Sequence, residues 1–323
     1  MITTLVYREG KFAMANPPIE ALALLRSEVG VMVWVDIDEP SDEETRHVLD
    51  TVFEFHPLAI EDCVSDSPLP KVEDYDDYLY LVMHAVDYTK TEHFTTTELD
   101  LFLGKNFLVT HHRKPLRPVQ LALEKYSKPN SVPVRGPDRF AHHLLDQMVE
   151  AYKPALLELQ KDLEELEQAS LMNLPAKEIF PRVVAMRKEF SSLRQIVRPQ
   201  RDVAAELAQG KTKLIRPVMV PYLRDLAEEL AHIDAQVETW SEELLLTFRV
   251  YLNKSSHEAN AGIKVLTGIT ALTIPVLAVG AWFGMNFKFM PELELLWSYP
   301  LALVVMLGGT YWMLRMMTKR KWL

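Results

Sequence analysis

In the first 130 residues, apolar positions come in short runs rich in β-branched and aromatic side chains, separated by turn formers. Leu5-Val6-Tyr7, Val31 to Ile37, Tyr78 to Val86, Leu99 to Leu103 and Phe107 to His111 read as strands. Gly104-Lys105-Asn106 between the last two is a hairpin signal. Short helices are expected at Pro18 to Ser27 and Glu43 to Phe53.

The period then changes to steps of three and four. Leu144, Met148, Tyr152, Leu156, Leu163 and Leu166 form one apolar face, with Glu158, Asp162, Glu164, Glu165 and Glu167 between them. Asp138, after Gly-Pro, is the expected cap. Asn173-Leu174-Pro175 breaks the pattern, and Ile179, Val183, Met186, Phe190 and Leu193 begin a second helix, so the two read as an antiparallel pair.

A third helix carries Leu223, Leu226, Leu230, Ile233, Val237, Trp240, Leu244, Phe248 and Tyr251 in unbroken steps of three or four. No proline interrupts the chain between Pro221 and Pro275. One helix of roughly 60 residues, about 90 Å long, is expected. Its seam suits an oligomer interface and equally suits packing on the chain's own helices.

Two uninterrupted apolar stretches follow. Ile263 to Phe283 holds one charge, Lys264 at its edge, and Leu295 to Leu314 closes at Arg315. Each has about the 20 residues needed to cross a hydrocarbon core of about 30 Å. Neither alternates at period two, which argues against a membrane barrel. The tail carries Arg315, Lys319, Arg320 and Lys321, while the connecting loop offers only Lys288 against Glu292 and Glu294. The positive-inside rule puts the tail, and with two spans the N-terminal domain, in the cytoplasm.

The first span has no carboxylate. A mid-membrane charge costs about 2.5–3.5 kcal/mol on insertion scales, so an ion path here must use neutral oxygens. Asn260, Thr267, Thr270 and Thr273 supply them; Thr in such helices also commonly bonds its own backbone. Two helices cannot enclose a pore, so transport requires an oligomer.

Composition sharpens this picture. The 323 residues carry a net charge of -10, which argues against nucleic acid as a partner. One cysteine, Cys63, permits no intrachain disulfide and fits a reducing cytoplasm. Met1 to Phe12 shows no secretory signal. No phosphate loop, metalloprotease motif or nucleophile–base pairing is visible, so neither an enzyme nor an organic cofactor is expected. His111-His112 and His142-His143 read as surface residues with no convergent metal cluster.

Gly284-Met285-Asn286, directly after the first span, resembles the signature of the CorA family of magnesium transporters. The flanking Phe287-Lys288-Phe289-Met290-Pro291-Glu292-Leu293, the ending Lys319-Arg320-Lys321-Trp322-Leu323, Pro70 to Tyr75 and Tyr222-Leu223-Arg224-Asp225 resemble family stretches as well. The resemblance implies an α+β cytosolic domain followed by long helices, a helical membrane part with two spans per subunit, and a funnel-shaped homopentamer in a bacterial-type inner membrane, embedded in lipid. Its parts would be a cytosolic α/β domain (1–130), a helical hairpin (131–216), a stalk helix (217–262), a pore-lining span (263–283), an external loop (284–294), an outer span (295–314) and a basic cytosolic tail (315–323).

Asn286 would stand at the external pore mouth, where five amide oxygens hold hydrated Mg2+. Gly284 would permit the turn and Met285 would pack the loop. Asn260, Ile263, Leu266, Thr267, Thr270, Ile274 and Leu277 would line the pore, the apolar members closing it by dewetting, and Pro275 would kink the span. Glu61, Asp62 and Asp225 would hold regulatory Mg2+ between subunits. The sequence departs from the family where Phe283 replaces a tyrosine, where Leu277 replaces a threonine, and where Gly280 stands in place of a glycine at 281.

The expected function is potential-driven transport of Mg2+, with Co2+ and Ni2+ as further cargo, gated by cytosolic Mg2+. A zinc transporter of the same superfamily, with proton coupling, is the nearest alternative, and the Phe287 to Leu293 loop favours magnesium. A membrane-anchored coiled-coil sensor or scaffold is the alternative from another class.

Overall fold

The structure, a computed structural model, describes residues 1–65, 69–87, 95–128, 133–172, 175–286, 288, 290–293 and 295–320. The expected break at Asn173-Leu174, the loop positions Phe287, Phe289 and Glu294, and the ending Lys321-Trp322-Leu323 lie outside the described residues. The chain divides into two compact units, Met1–Leu245 and Leu246–Leu323.

The first unit is built on a seven-stranded sheet. Its strands are β1 (Ile2–Arg8), β2 (Lys11–Ala15), β3 (Val31–Asp38), β4 (Lys71–Asp74), β5 (Tyr78–Asp87), β6 (Thr95–Gly104) and β7 (Phe107–His112), in the order β2-β1-β3-β7-β6-β5-β4. Only β3 and β7 pair in parallel; the other neighbours are antiparallel. The five predicted strands are all present, and Leu103 faces Leu108 across the predicted hairpin.

Strand alternation sends side chains to two buried faces. On one, Val31, Val33, Val35 and Ile37 join Leu22 and Leu25 of α1 (Ile19–Ser27) and Ala59 and Ile60 of α3 (Pro57–Val64) in one apolar cluster. Between these helices α2 (Asp42–Arg46) runs into a turn of π-helix over His47–Val52, and a Ser41–Glu44 capping box opens it. Phe55 stacks on Phe102 within this cluster, with centroids 4.3 Å apart. On the other face the Trp34 ring lies 4.5 Å from Phe140.

Phe140 belongs to α5 (Pro137–Glu150), which α4 (Arg117–Tyr126) precedes and α6 (Tyr152–Leu171) and α7 (Ala176–Leu207) follow. Asp138 is not the cap. Gly136 holds that position, and the Asp138 carboxylate accepts bonds from Arg139 N at 2.8 Å and Arg216 Nε at 2.8 Å.

The seam helix α8 (Val220–Phe283) is one helix of 64 residues, and Pro275 lies inside it without ending it. From Leu223 to Leu244 the seam is buried in the single chain. It therefore packs on the chain's own helices, the second of the two uses that its pattern allowed. Arg194, Arg198 and Arg201 of α7 lock this contact by converging on Asp234 of α8, at 3.0, 3.0 and 3.4 Å.

The second unit holds the C-terminal part of α8, a turn of 3-10 helix at Pro291–Leu293, and α9 (Ser298–Lys319). Only 6% of each apolar window is buried inside the chain. Apolar helices this bare require another solvent, and a bilayer is the one their length matches.

His111 and His112 are core residues, contrary to the surface positions expected of them, with 3% and 2% exposure. They point to opposite faces of β7, and each meets a carboxylate. His112 Nε2 lies 3.3 Å from Asp36, and its Nδ1 lies 3.2 Å from Asp38 and 2.8 Å from the Lys114 carbonyl. Burial disfavours its charge, but the Asp36 interaction and then the Lys114 and Asp38 interactions outweigh this and raise its pKa above the usual histidine value. A raised folded-state pKa adds stability that is full below the unfolded value of about 6.5 and is lost as pH rises through the folded one. The Tm of the chain is therefore expected to fall on raising pH through and above 6.5, and His112→Gln should flatten that slope. Thermal unfolding of the two proteins across pH 6 to 9 checks it.

Candidate functional site

All seven positions expected to line a pore sit on α8. At 3.6 residues per turn, Asn260, Ile263, Leu266, Thr267, Thr270, Ile274 and Leu277 fall within an arc of about 120°. All seven are exposed in the single chain. The covered side of this part of α8 is another stripe, Gly268, Ala271, Leu272, Pro275, Val279 and Phe283, centred about 140° away. Pro275 lies against Gly309 of α9, and Val279 and Phe283 share an apolar groove with Leu301, Ala302 and Val305. One face of α8 is thus committed to α9, and the stripe of candidate pore residues is left free.

The threonines use their protons locally. Thr270 Oγ1 donates to Leu266 O at 2.9 Å and Thr273 Oγ1 to Thr270 O at 2.8 Å. This is the backbone bonding common to such helices, and it leaves each oxygen as a pure acceptor, the form in which a hydroxyl meets a cation.

The helix closes at the signature. Gly284 N donates to Gly280 O at 3.0 Å. A Cβ at Gly284 would also stand 3.0 Å from Gly280 O, and its φ lies outside the left-handed region. A side chain here would require the Gly280 carbonyl to give by a few tenths of an ångström. Met285 and Asn286 follow, both exposed.

The candidate regulatory acids belong to the first unit. Glu61 and Asp225 are exposed, and Asp62 is half-buried. Lys71 Nζ bridges Asp62 and Glu73, lying 2.9 Å from Glu73 Oε1, with its ammonium over the Tyr80 ring. Desolvation works against the Lys71 charge, yet the two carboxylates hold its pKa above the usual lysine value. Glu61, Asp62 and Asp225 do not converge within one chain. Among the described residues the group with metal-ligating geometry is Cys63, Asp100 and His111, all buried. No spacing in the sequence signals this cluster, since the three residues are far apart along the chain.

A seven-stranded α/β domain joined by one unbroken helix to a hairpin of two bare apolar helices defines a two-span helical membrane protein. The family model described as CorA-like Mg2+ transporter protein matches residues 29–320, and the chain belongs to that family. It is similar to the cobalt/magnesium transport protein CorA of Thermotoga maritima, 29% identical over 294 residues that cover 90% of this chain and 83% of that protein. The protein of that name from Methanocaldococcus jannaschii is 25% identical over 80% of this chain and 81% of its own length. The complete structure of the CorA magnesium transporter from Methanocaldococcus jannaschii has the same fold, with a TM-score of 0.81, 21% identity, and coverage of 99% and 98% of the two chains.

Proposed function

We propose that this protein transports divalent cations, Mg2+ foremost with Co2+ and Ni2+ as further cargo, across an inner membrane through a pore formed by a homopentamer. The observation that carries the reading is the free stripe on α8, which presents neutral oxygens and apolar side chains and ends at Gly284-Met285-Asn286. Mg2+ gives up its water reluctantly. A ring of amide and hydroxyl oxygens can hold the hydrated ion without the cost of buried carboxylates. Ile263, Leu266 and Ile274 are the constrictions that close by dewetting.

The driving force is the membrane potential. Two charges crossing about 100 mV gain roughly 4.6 kcal/mol, so no nucleotide site is required. Both termini lie in the cytoplasm, as the basic tail directs. Glu61, Asp62 and Asp225 would hold regulatory Mg2+ at subunit contacts. Their oxygen donors suit that ion, and Glu61 and Asp225 are free to face a neighbour.

The test is uptake into proteoliposomes, offering Mg2+ and Zn2+ separately, with and without an imposed pH gradient. Mg2+ uptake that ignores the gradient is expected. Uptake of Zn2+ alone, rising with the gradient, would make this a proton-coupled zinc transporter. Uptake of neither would favour a membrane-anchored scaffold.

A further inference from the structure

We propose that Cys63, Asp100 and His111 form a buried binding site for a borderline divalent cation such as Zn2+ or Co2+, separate from the ion pathway. Asp100 of β6 and His111 of β7 are cross-strand partners, and α3 lays Cys63 over them from the apolar face of the sheet. One ligand atom from each lies within 4.8 Å of the others. His111 Nδ1 is 3.1 Å from Asp100 Oδ2, and Tyr80 Oη donates to Asp100 Oδ1 at 2.7 Å.

A divalent ion would be charge-balanced here. The buried Asp100 carboxylate is held by Tyr80, His111 and the Cys63 thiol, whose proton burial retains in the metal-free chain. A thiolate, a carboxylate and a neutral imidazole around a divalent ion sum to zero. Binding releases the Cys63 thiol proton to solvent and replaces it with a metal–sulfur bond. Tetrahedral ligands at about 2.0–2.3 Å from the ion stand roughly 3.3–3.8 Å apart, so side-chain adjustments of about 1 Å complete the site. The Tyr80 hydroxyl is an oxygen at hand for the fourth position.

The donor set selects the ion. Mixed sulfur, nitrogen and oxygen suit Zn2+ and Co2+, whereas Mg2+ demands octahedral oxygen. The site therefore does not answer to Mg2+, the foremost proposed cargo. Because it is buried, it is filled as the domain folds.

This chain has a single cysteine, so any thiolate-to-metal signal reports Cys63 alone. Full-length protein, made in cells supplied with Co2+ and purified in detergent, should retain about one Co2+ per chain. It should show a near-ultraviolet thiolate-to-cobalt charge-transfer band and the intense visible bands of tetrahedral Co2+. Excess Mg2+ should not remove them, and Cys63→Ala should abolish the charge-transfer band. X-ray absorption of the Zn2+-loaded wild type, which needs no variant to fold, should find one sulfur at about 2.3 Å. Only weak octahedral bands, or a zinc shell of oxygen and nitrogen alone, would overturn the proposal. The carboxylate sites proposed for regulation give no thiolate signal, so the two readings stand or fall separately.

Discussion

Asn286→Ala is expected to cut Mg2+ uptake below about a tenth of wild type while the assembly stays intact. Asn286 follows directly on the end of the span, exposed, and among the described residues its side chain has no hydrogen-bond partner. Its removal therefore leaves no buried group unsatisfied, and folding should not notice. Its effect on ions is another matter. A hydrogen bond to a charged partner contributes about 1.5–3 kcal/mol, and 1.4 kcal/mol is a factor of ten. In a ring the loss recurs in every subunit. Uptake into proteoliposomes, paired with cross-linking of the detergent-solubilised protein, separates the two effects. Pentamers with no flux are the expected pair of results. Full flux would remove Asn286 from the pathway, and a dominant dimer would remove the ring itself.

The membrane helices and the seam of α8 were legible because their signals are long and redundant. Nine seam positions in register cannot arise from a short element, and two 20-residue apolar runs have few other uses. What was missed is short or at an edge. β2 is five residues, mostly exposed, after a turn in which Glu9 and Gly10 both take positive φ. β4 is Lys71-Val72-Glu73-Asp74, whose charges mark a protected sheet edge and hide the strand from a hydrophobicity reading.

Other misses did carry a signal. Pro57 opens α3 behind the His56 cap, the usual place for proline in a helix. Pro154 sits in the first turn of α6, the place in a helix where proline costs least, and so marks the break from α5. The Cys63–Asp100–His111 cluster had no such signal. Residues this far apart meet only through strand register and helix placement, and His111 looked like half of an ordinary surface pair. The candidate pore residues are the converse case. Resemblance selected them, and the helix then placed all seven on one free stripe.

The largest regulatory effect should come from Asp225→Ala, which is expected to raise the internal Mg2+ needed for half-inhibition of uptake by about 5–150-fold, the range of typical coupling energies. The physical reason is differential binding. Carboxylates about 4 Å apart near a protein surface repel by roughly 4 kcal/mol. On the proposed gating, a closed ring that brings them together would be stable only with a cation between them, and the open form would forgo the ion. Mg2+ would then draw the population toward closure by its preference for that state.

Asp225 is exposed near the start of α8, so its removal should leave the fold in place. Asp62 differs, because Lys71 already holds it together with Glu73. On the same proposal Mg2+ would have to displace that ammonium, and Lys71→Met should accordingly make inhibition more sensitive, the opposite sign to Asp225→Ala. Solvated surface charges would give neither shift. Titrating internal Mg2+ against uptake for wild type and both variants reads the two signs in one experiment, and matching curves for all three would place regulation elsewhere.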